Sequence, residues 1–361
     1  MIKFLHAADF HLDSAFAALQ PEQAAERRQE QRQLLQELSE TCRQNACDLL
    51  LLSGDLFDGR SVYRDTLDAL WQALSECGAR VFISPGNHDH IHPASPYLTR
   101  TWPENVHIFT SSTIEGVPVP ELGCTVYGAA FTAPNMQNIL RGFHAPEERS
   151  NFMVLHADPL AADSPYNPIS AGDIADSNLT YLALGHVHKR SNLNHTAKTF
   201  YGWPGCPMGR GFDETGAKGV FLGEAEGNQV NCRFQPFSGR RYEVLRVEVQ
   251  NDPLEAILAA LPEKTERHIY RIILTGESDS IELPAIYRQL QERFYALQLL
   301  DETVPPLSLW TSCGENTLEG MSLNALRQAL ALCETPRQRR CIELAARRIA
   351  EVCERREMPV L

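Results

Sequence analysis

Five short apolar runs, each followed closely by a side chain that can bind a metal ion, constrain the fold of this chain more than any other feature. The runs occupy residues 2–5, 49–52, 81–83, 152–155 and 182–184. Such continuous runs are typical of parallel strands that are buried on both faces. Because open α/β sheets carry functional groups at the carboxyl ends of their strands, the side chains that follow the runs are expected to converge. The pattern therefore predicts an α/β protein with a metal site at that edge.

The side chains that follow the runs form a mixed set of oxygen and nitrogen ligands. They are Asp9, His11, Asp55, Asn87, His156, His186 and His188. A set without cysteine favours Mn, Fe or Zn at a reactive site over a thiolate-rich structural zinc. Seven groups are too many for one ion. They indicate two divalent ions about 3.5 to 4 Å apart, which together stabilise the attacking and the leaving oxygen of a phosphodiester.

The bridge between the two ions requires a carboxylate, and Asp55 is the candidate. The glycine before it allows the backbone to approach closely, and the strand end aims the side chain inward. Side chains two residues apart on a strand point the same way, so Asp9 and His11 are expected to hold one ion together. The same spacing places His186 and His188 on one face, where each can reach an ion.

His88 is the candidate catalytic residue. It adjoins the predicted ligand Asn87, and imidazole has a suitable pKa for a general acid that protonates the leaving oxygen. Asp89 is expected to orient His88 or its loop, or to cap a turn. The other histidines lack this context and are interpreted as structural or surface residues, with His90 nearest the site: His6, His90, His92, His107, His144, His195 and His268.

The overall composition excludes several classes of protein. No apolar stretch approaches the about 20 residues of a membrane span, and no signal peptide is evident, so a cytoplasmic protein is expected. The ten cysteines form no CxxC pair, which indicates reduced thiols. The net charge of −13 argues against attraction of DNA by the overall field. A local basic segment does occur at 337–356, where seven arginines face three glutamates, although a solvated helix face explains most of them.

The chain reads as three segments. Residues 1–240 alternate between strands and helices, with helices predicted at 21–45 and 65–77, and predict a two-layer β core flanked by helices. Residues 241–305 predict a small α/β domain whose last helix covers 284–296. Residues 306–361 predict a helical tail. Its apolar stripe either packs internally, as amphipathic helices routinely do, or docks on a partner: Ile342, Ala345, Ala346, Ile349, Val352 and Cys353.

The motif order DxH, GD, GNHD, H and GHxH resembles the calcineurin-like metallophosphoesterase superfamily. Segments 8–14, 54–58 and 86–89 are similar to the SbcD/YhaO branch of DNA repair exonucleases, as is the segment 201–210. The resemblance implies a four-layer α/β/β/α sandwich with a small capping domain and a partner-docking tail, and manganese as the usual metal. It assigns Asp9, His11, Asp55 and His188 to one ion, and Asp55, Asn87, His156 and His186 to the other. It also makes His88 catalytic.

Two positions depart from the branch. Cys206 stands where serine is common, and Asp58 stands where some relatives have a histidine near the metal ligands. The leading hypothesis is a Mn-dependent DNA exonuclease or phosphodiesterase that acts in DNA repair with an SbcC-like coiled-coil ATPase. The alternatives are a phosphoesterase for a small nucleotide or phosphoprotein, and a subunit that binds DNA ends or a partner with weak hydrolysis. A homodimeric assembly is a further alternative.

Overall fold

The computed structural model describes residues 1–354 apart from 18, 60, 148, 250, 251, 279 and 280. The chain divides into two compact units, Met1–Arg241 and Tyr242–Leu361. The predicted further division at residue 305 stays a prediction. In the described part of the chain, no helix is both long and apolar enough to cross a membrane.

The first unit contains two six-stranded sheets. Its elements in chain order are β1 Ile2–Ala7, α1 Pro21–Gln44, β2 Leu49–Leu52, α2 Arg64–Glu76, β3 Arg80–Ile83, α3 Pro96–Thr99, β4 Val106–Ile108, β5 Glu115–Val119, β6 Cys124–Gly128, β7 Ser150–His156, α4 Ala171–Asp176, β8 Tyr181–Gly185, β9 Asn194–Thr196, β10 Thr199–Gly202, β11 Gly219–Glu226 and β12 Gln229–Pro236. The strand orders are β12-β11-β1-β2-β3-β4 and β5-β6-β7-β8-β10-β9. β1 to β4 are parallel, as are β6, β7, β8 and β10.

The two sheets pack face to face over a shared apolar core. Phe4 of β1 is fully buried, and its ring centroid lies 4.5 Å from that of Tyr181 and 5.6 Å from that of Phe152, both in the second sheet. The opposite face of the first sheet packs on α1 and α2, and the opposite face of the second packs on α4. Apolar residues of β1, β2, β7 and β8 therefore face cores on both sides. The predicted four-layer α/β/β/α sandwich is confirmed.

The second unit has a parallel sheet of three strands in the order β13-β14-β15. Its elements are β13 Tyr242–Val249, α5 Pro253–Ala260, β14 Ile269–Gly276, α6 Leu283–Leu290, β15 Ala296–Asp301, α7 Leu318–Ala331 and α8 Pro336–Glu354. The predicted helix over 284–296 is wrong at its end, because Gln291–Arg293 tighten into a 3-10 turn. Phe294 then enters the core, with its ring 4.9 Å from that of Tyr270, and β15 follows.

The stripe of the tail is divided between core and surface. Ala346 of α8 is fully buried, whereas Val352 is 54% exposed. The neighbouring Arg347 donates hydrogen bonds to the Asp301 carboxylate, at 3.2 Å, and to the Thr303 hydroxyl, at 2.9 Å. Helix α8 is therefore bound to β15 of its own unit, which favours internal packing for much of the stripe. Two arginines of the predicted basic segment, at 355 and 356, lie outside the described residues.

We expect Phe4→Ala to lower the free energy of unfolding by about 3–5 kcal/mol, because it removes a buried ring that contacts the opposite sheet. Urea unfolding of the full chain, followed by tryptophan fluorescence, measures the loss. Leu160→Ala is the control, since this side chain is 68% exposed and its truncation is expected to change stability by less than about 0.5 kcal/mol. Equal losses in the two variants would contradict the inter-sheet role of Phe4.

Candidate metal centre

All seven predicted ligands lie at the carboxyl ends of parallel strands. Asp9 and His11 follow β1, Asp55 follows β2, and Asn87 follows β3 in the first sheet. In the second sheet His156 ends β7, and the histidines at 186 and 188 follow β8. Side chains from the two sheets meet, because Nε2 of His156 lies 3.0 Å from the Asn87 amide oxygen. The Asp9 carboxylate also accepts a hydrogen bond from the His186 backbone N–H at 3.0 Å. The convergence expected from the strand pattern is thus observed.

The backbone achieves this convergence differently from the prediction. β1 ends at Ala7, and Asp9 and His11 have φ angles of 57° and 46°. The argument that they alternate along a strand was therefore wrong, and so was the same argument for His186, which has φ 99°. Left-handed conformations are uncommon for residues other than glycine and cluster at functional sites. Here they turn the chain back on itself, and the His11 N–H donates to the Asp55 carbonyl at 2.9 Å.

The imidazoles of His11 and His188 face each other through their Nε2 atoms. The Nδ1–H of His11 donates to Asp58 at 3.0 Å, and the Nδ1–H of His188 donates to Glu214 at 2.6 Å. Although burial opposes it, these hydrogen bonds lower the pKa of both carboxyl groups, so both are ionised acceptors. Burial lowers the pKa of His11 to about 3, so its Nε2, which lies 3.1 Å from Nε2 of His188, carries a lone pair. Burial opposes it, but the hydrogen bond to Glu214 raises the pKa of His188, so positive charge is favoured beside that lone pair. A cation between the two Nε2 atoms and the adjacent Asp9 carboxylate fits this arrangement. Asp9, His11 and His188 are the first acceptor set.

The second acceptor set consists of His156, Asn87 and Asp55. His156 donates its Nδ1–H to the Ser53 carbonyl at 2.9 Å, which leaves its Nε2 as an acceptor. That Nε2 lies 3.0 Å from the Asn87 amide oxygen and 3.4 Å from the Asp55 carboxylate. Three acceptors in contact repel one another unless a cation lies among them. The donor chemistry of both sets thus fits divalent metal ions.

Asp55 lies between the two sets. Its Oδ2 is 3.8 Å from His11 Nε2 and 3.4 Å from His156 Nε2, and its Oδ1 accepts from the His88 N–H at 2.9 Å. The close approach depends on Gly86, since a Cβ there would lie 2.2 Å from Asp55 Oδ1. One carboxylate therefore reaches both acceptor sets, as a bridging ligand must.

Burial shifts the pKa of the inner groups in opposite directions. It raises the pKa of Asp9 to about 6 and that of Asp55 to about 7, and it lowers the pKa of His11 to about 3. In low dielectric the charged form of each group is disfavoured. The site thus holds a neutral His11 imidazole, which is ready to bind metal, and carboxylates that need a positive charge beside them.

Sequence reasoning missed the carboxylates that orient the histidines. Asp58 stands out in the sequence only as a departure from the related branch, and Glu214 and Asp158 do not stand out at all. Asp158 lies 3.6 Å from His186 Nε2. Orienting carboxylates are a common feature of metal-bound histidines. No motif marks them here, because Glu214 lies in a loop 26 residues after the histidine that it holds.

His88 lies at the rim of the site. Its side chain is 47% exposed, its ring is edge-on to that of His11 with centroids 4.8 Å apart, and its Nδ1 is 3.6 Å from Asp58. Asp89 does not orient His88 directly. It is buried and accepts hydrogen bonds from the backbone N–H of Gly86 and Leu56, so it holds the loop. The exposed His88 is therefore open to a substrate that approaches the inner ligands.

Among the other histidines, His6 is structural, as predicted. It is fully buried, and its ring contacts the Tyr181 hydroxyl at 2.9 Å and the Leu184 carbonyl at 3.1 Å. His90 is also nearly buried, and its Nδ1 lies 3.1 Å from the Asn87 carbonyl. It supports the loop that carries a predicted ligand, as its expected position near the site suggested.

The motifs, sheets and acceptor sets together define a metallophosphoesterase. The family model of calcineurin-like phosphoesterases matches residues 2–190, and the chain belongs to this family. It is 30% identical over 323 residues to the uncharacterized metallophosphoesterase YhaO of Bacillus subtilis, which covers 82% of this chain and 77% of YhaO.

Two further relatives carry names that refer to nucleases or DNA repair. The chain is 24% identical over 271 residues to the SbcD subunit of the nuclease SbcCD of Bacillus subtilis, which covers 62% of this chain and 66% of that protein. It is 24% identical over 353 residues to the DNA double-strand break repair protein Mre11 of Methanopyrus kandleri, across 85% of this chain and 74% of Mre11. The resemblance to the SbcD/YhaO branch is confirmed.

We expect Mn²⁺ to bind more weakly as the pH falls from 8 to 5. With pKa values of about 6 and about 7, Asp9 and Asp55 are ionised at pH 8 but increasingly protonated at lower pH. Metal binding must then displace these protons, and the affinity falls up to about tenfold per pH unit for each proton released. Calorimetric titration of the metal-free protein in buffers of different ionisation enthalpy measures both affinity and proton release. An affinity independent of pH over this range would contradict the assignment of these carboxylates.

Proposed function

We propose that this protein is a DNA phosphodiesterase that uses two manganese ions and works with an SbcC-like coiled-coil ATPase. The observation that carries the proposal is the pair of buried acceptor sets with Asp55 between them and an exposed His88 beside them. One ion would be held by Asp9, His11, Asp55 and His188, and the other by Asp55, Asn87, His156 and His186. When bound, two such ions supply Lewis acidity toward the phosphoryl oxygens and a nucleophile derived from water.

The residues of the chain orient the metal-binding imidazoles and provide a proton. The backbone bonds of the inner loops and the carboxylates Asp58 and Glu214 hold the imidazoles in fixed orientations, so little reorganisation is needed when a phosphodiester enters. His88 carries the proton for the leaving oxygen. Its Nδ1 lies 3.6 Å from the Asp58 carboxylate, which steadies the ring.

DNA is the proposed substrate on the basis of the relatives. One relative is by name a subunit of the nuclease SbcCD, and another is by name a DNA double-strand break repair protein. A net charge of −13 supports the partner, because an acidic chain has little long-range attraction for DNA. A second protein that delivers the DNA would remove that difficulty.

The test is the release of nucleotides from linear duplex and single-stranded DNA with Mn²⁺, beside the hydrolysis of bis-p-nitrophenyl phosphate. We expect both activities, and we expect Asp55→Asn to abolish both together with metal binding, since it removes the charged bridge. Hydrolysis of the small diester without any attack on DNA, with and without the ATPase, would favour a small phosphoester as substrate. DNA binding with neither activity would favour a purely DNA-binding role.

The matched variant His88→Ala separates chemistry from metal retention. It should retain both ions but turn over more slowly by about 10²-fold or more, as is typical of lost acid–base assistance. Metal content and rate are measured on the same preparation. Loss of metal would make His88 a ligand, and an unchanged rate would remove it from the mechanism.

The surface of α7 is the proposed contact for the ATPase. Leu318 and Met321, one helical turn apart, are 80% and 64% exposed. Paired exposed apolar residues on one helix face suit a hydrophobic groove on a partner protein. Deletion of the whole tail would remove the buried Ala346 and is a poor test.

We therefore expect Leu318→Glu with Met321→Glu to reduce co-purification with an SbcC-like ATPase while the rate on bis-p-nitrophenyl phosphate is unchanged. The matched control is Leu160→Glu, in the first unit, where the side chain is 68% exposed. It should leave co-purification intact. Equal recovery of the ATPase with the double variant and with the control would exclude this face of α7 as the contact.

A further inference from the structure

A single guanidinium lies behind both histidines of the first acceptor set. Nη1 of Arg210 is 3.4 Å from Asp58 Oδ1, and Nη2 is 3.0 Å from Glu214 Oε1. Nη2 also lies 3.3 Å from His188 Nδ1. These two carboxylates are the acceptors for the Nδ1–H groups of His11 and His188. Arg210 thus connects the groups that orient two proposed ligands of the same ion.

The two acceptor sets are supported in different ways. His11 and His188 both depend on side-chain carboxylates that Arg210 holds. In contrast, His156 is oriented by the backbone carbonyl of Ser53 at 2.9 Å. A backbone carbonyl between rigid strands keeps its position without a partner, whereas two neighbouring carboxylates repel each other unless a cation lies between them. The orientation of the histidines in the first acceptor set is therefore more sensitive to loss of a side-chain partner than the orientation of His156.

The chain secures Arg210 from several sides. Its own N–H donates to Glu214 Oε2 at 2.7 Å, which closes the loop that carries both residues. The carbonyl of the preceding Gly209 accepts a hydrogen bond at 2.8 Å from Arg27 of α1, a side chain with no exposed surface. Earlier in the loop, Gly205 has φ 75°, and a Cβ there would lie 2.4 Å from the His188 carbonyl. The loop from 205 to 214 is thus packed directly against the segment that carries His188.

We propose that Arg210 is a positioning residue that keeps Asp58 and Glu214 in place, so that the ion held by His11 and His188 depends on it and the ion held by Asn87 and His156 does not. The planar guanidinium reaches two carboxylates at once with its two terminal nitrogens, which a lysine ammonium cannot reproduce. The proposal rests on the two-ion site of the proposed function and on no particular substrate. It gives the loop after β10 a role in the unequal retention of the two ions.

Asp58 extends the same support to the catalytic group. Its Oδ1 is 3.0 Å from His11 Nδ1 and 3.6 Å from His88 Nδ1. When Arg210 is removed, Asp58 loses one of the partners that fix it, and both imidazoles lose a fixed acceptor. The effect on turnover should therefore exceed the effect expected from the weaker ion alone.

Mn²⁺ binding to Arg210→Met tests the proposal without any substrate. Electron paramagnetic resonance follows the titration of metal-free protein, because an isolated Mn²⁺ ion and a spin-coupled pair give different spectra. We expect the first equivalent to bind as in the unmodified protein, and the second to bind about 10- to 100-fold more weakly. An isolated Mn²⁺ signal should then persist at stoichiometries where the unmodified protein shows the pair. Arg210→Lys should lie between the two.

Arg100→Met is the matched control. Arg100 is 28% exposed, against 21% for Arg210, and pairs with the carboxylate of Asp68 at 2.8 Å on the surface of α2. It should bind both ions normally. If Arg210→Met does not fold, Glu214→Gln replaces it, because it weakens the orientation of His188 at nearly constant volume and should give the same selective loss. Normal binding of both ions, or equal weakening of both in a folded variant, would overturn the proposal. Absence of DNA cleavage by the unmodified protein would instead count against the proposed function.

Discussion

The repulsion among buried acceptors is the constraint on which the rest of this site depends. Carboxylate oxygens, an amide oxygen and imidazole nitrogens meet at distances of 3.0 to 3.8 Å in a region where several of these side chains have no exposed surface. In low dielectric such an assembly is costly without positive charge. The fold holds the imidazoles by hydrogen bonds to Asp58, to Glu214 and to the Ser53 carbonyl. The raised pKa of Asp9 and Asp55 expresses that cost in the chain itself.

The sandwich meets this demand with short connections at the ends of buried strands. Where the loops pack against one another there is no room for side chains, and a Cβ at Gly185 would lie 1.8 Å from the Ser53 carbonyl. The same Ser53 carbonyl accepts from His156, so one backbone atom meets both β8 and β7. Residues with positive φ, such as Asp9 and Asp55, then aim their side chains inward. The strain of these conformations is offset by the rigid sheets beneath them.

How much of this could be predicted from the sequence depends on the range of the interactions. The strands and the convergence of the side chains after them were predictable, because apolar runs and the residues that directly follow them are local patterns. The direction of Asp9 and His11 was predicted correctly but for the wrong reason, since the strand stops at Ala7. Glu214 and Arg210 had no local signal. Their role arises only when the loop after β10 folds back onto His188.

The groups that carry out the reaction and the features that select a substrate need not lie in the same part of the chain. Every group of the acceptor sets, with the carboxylates and the guanidinium that hold them, lies before residue 215, within the first unit. The second unit adds a parallel sheet and the helices α5 to α8, of which α8 is fixed to its own sheet through Arg347 and Asp301. One fold of this kind hosts many substrates, so the reaction class follows from the first unit alone. Because the acidic chain gains little from long-range attraction to a polyanion, selection of a long substrate has to come from local contacts or from a partner.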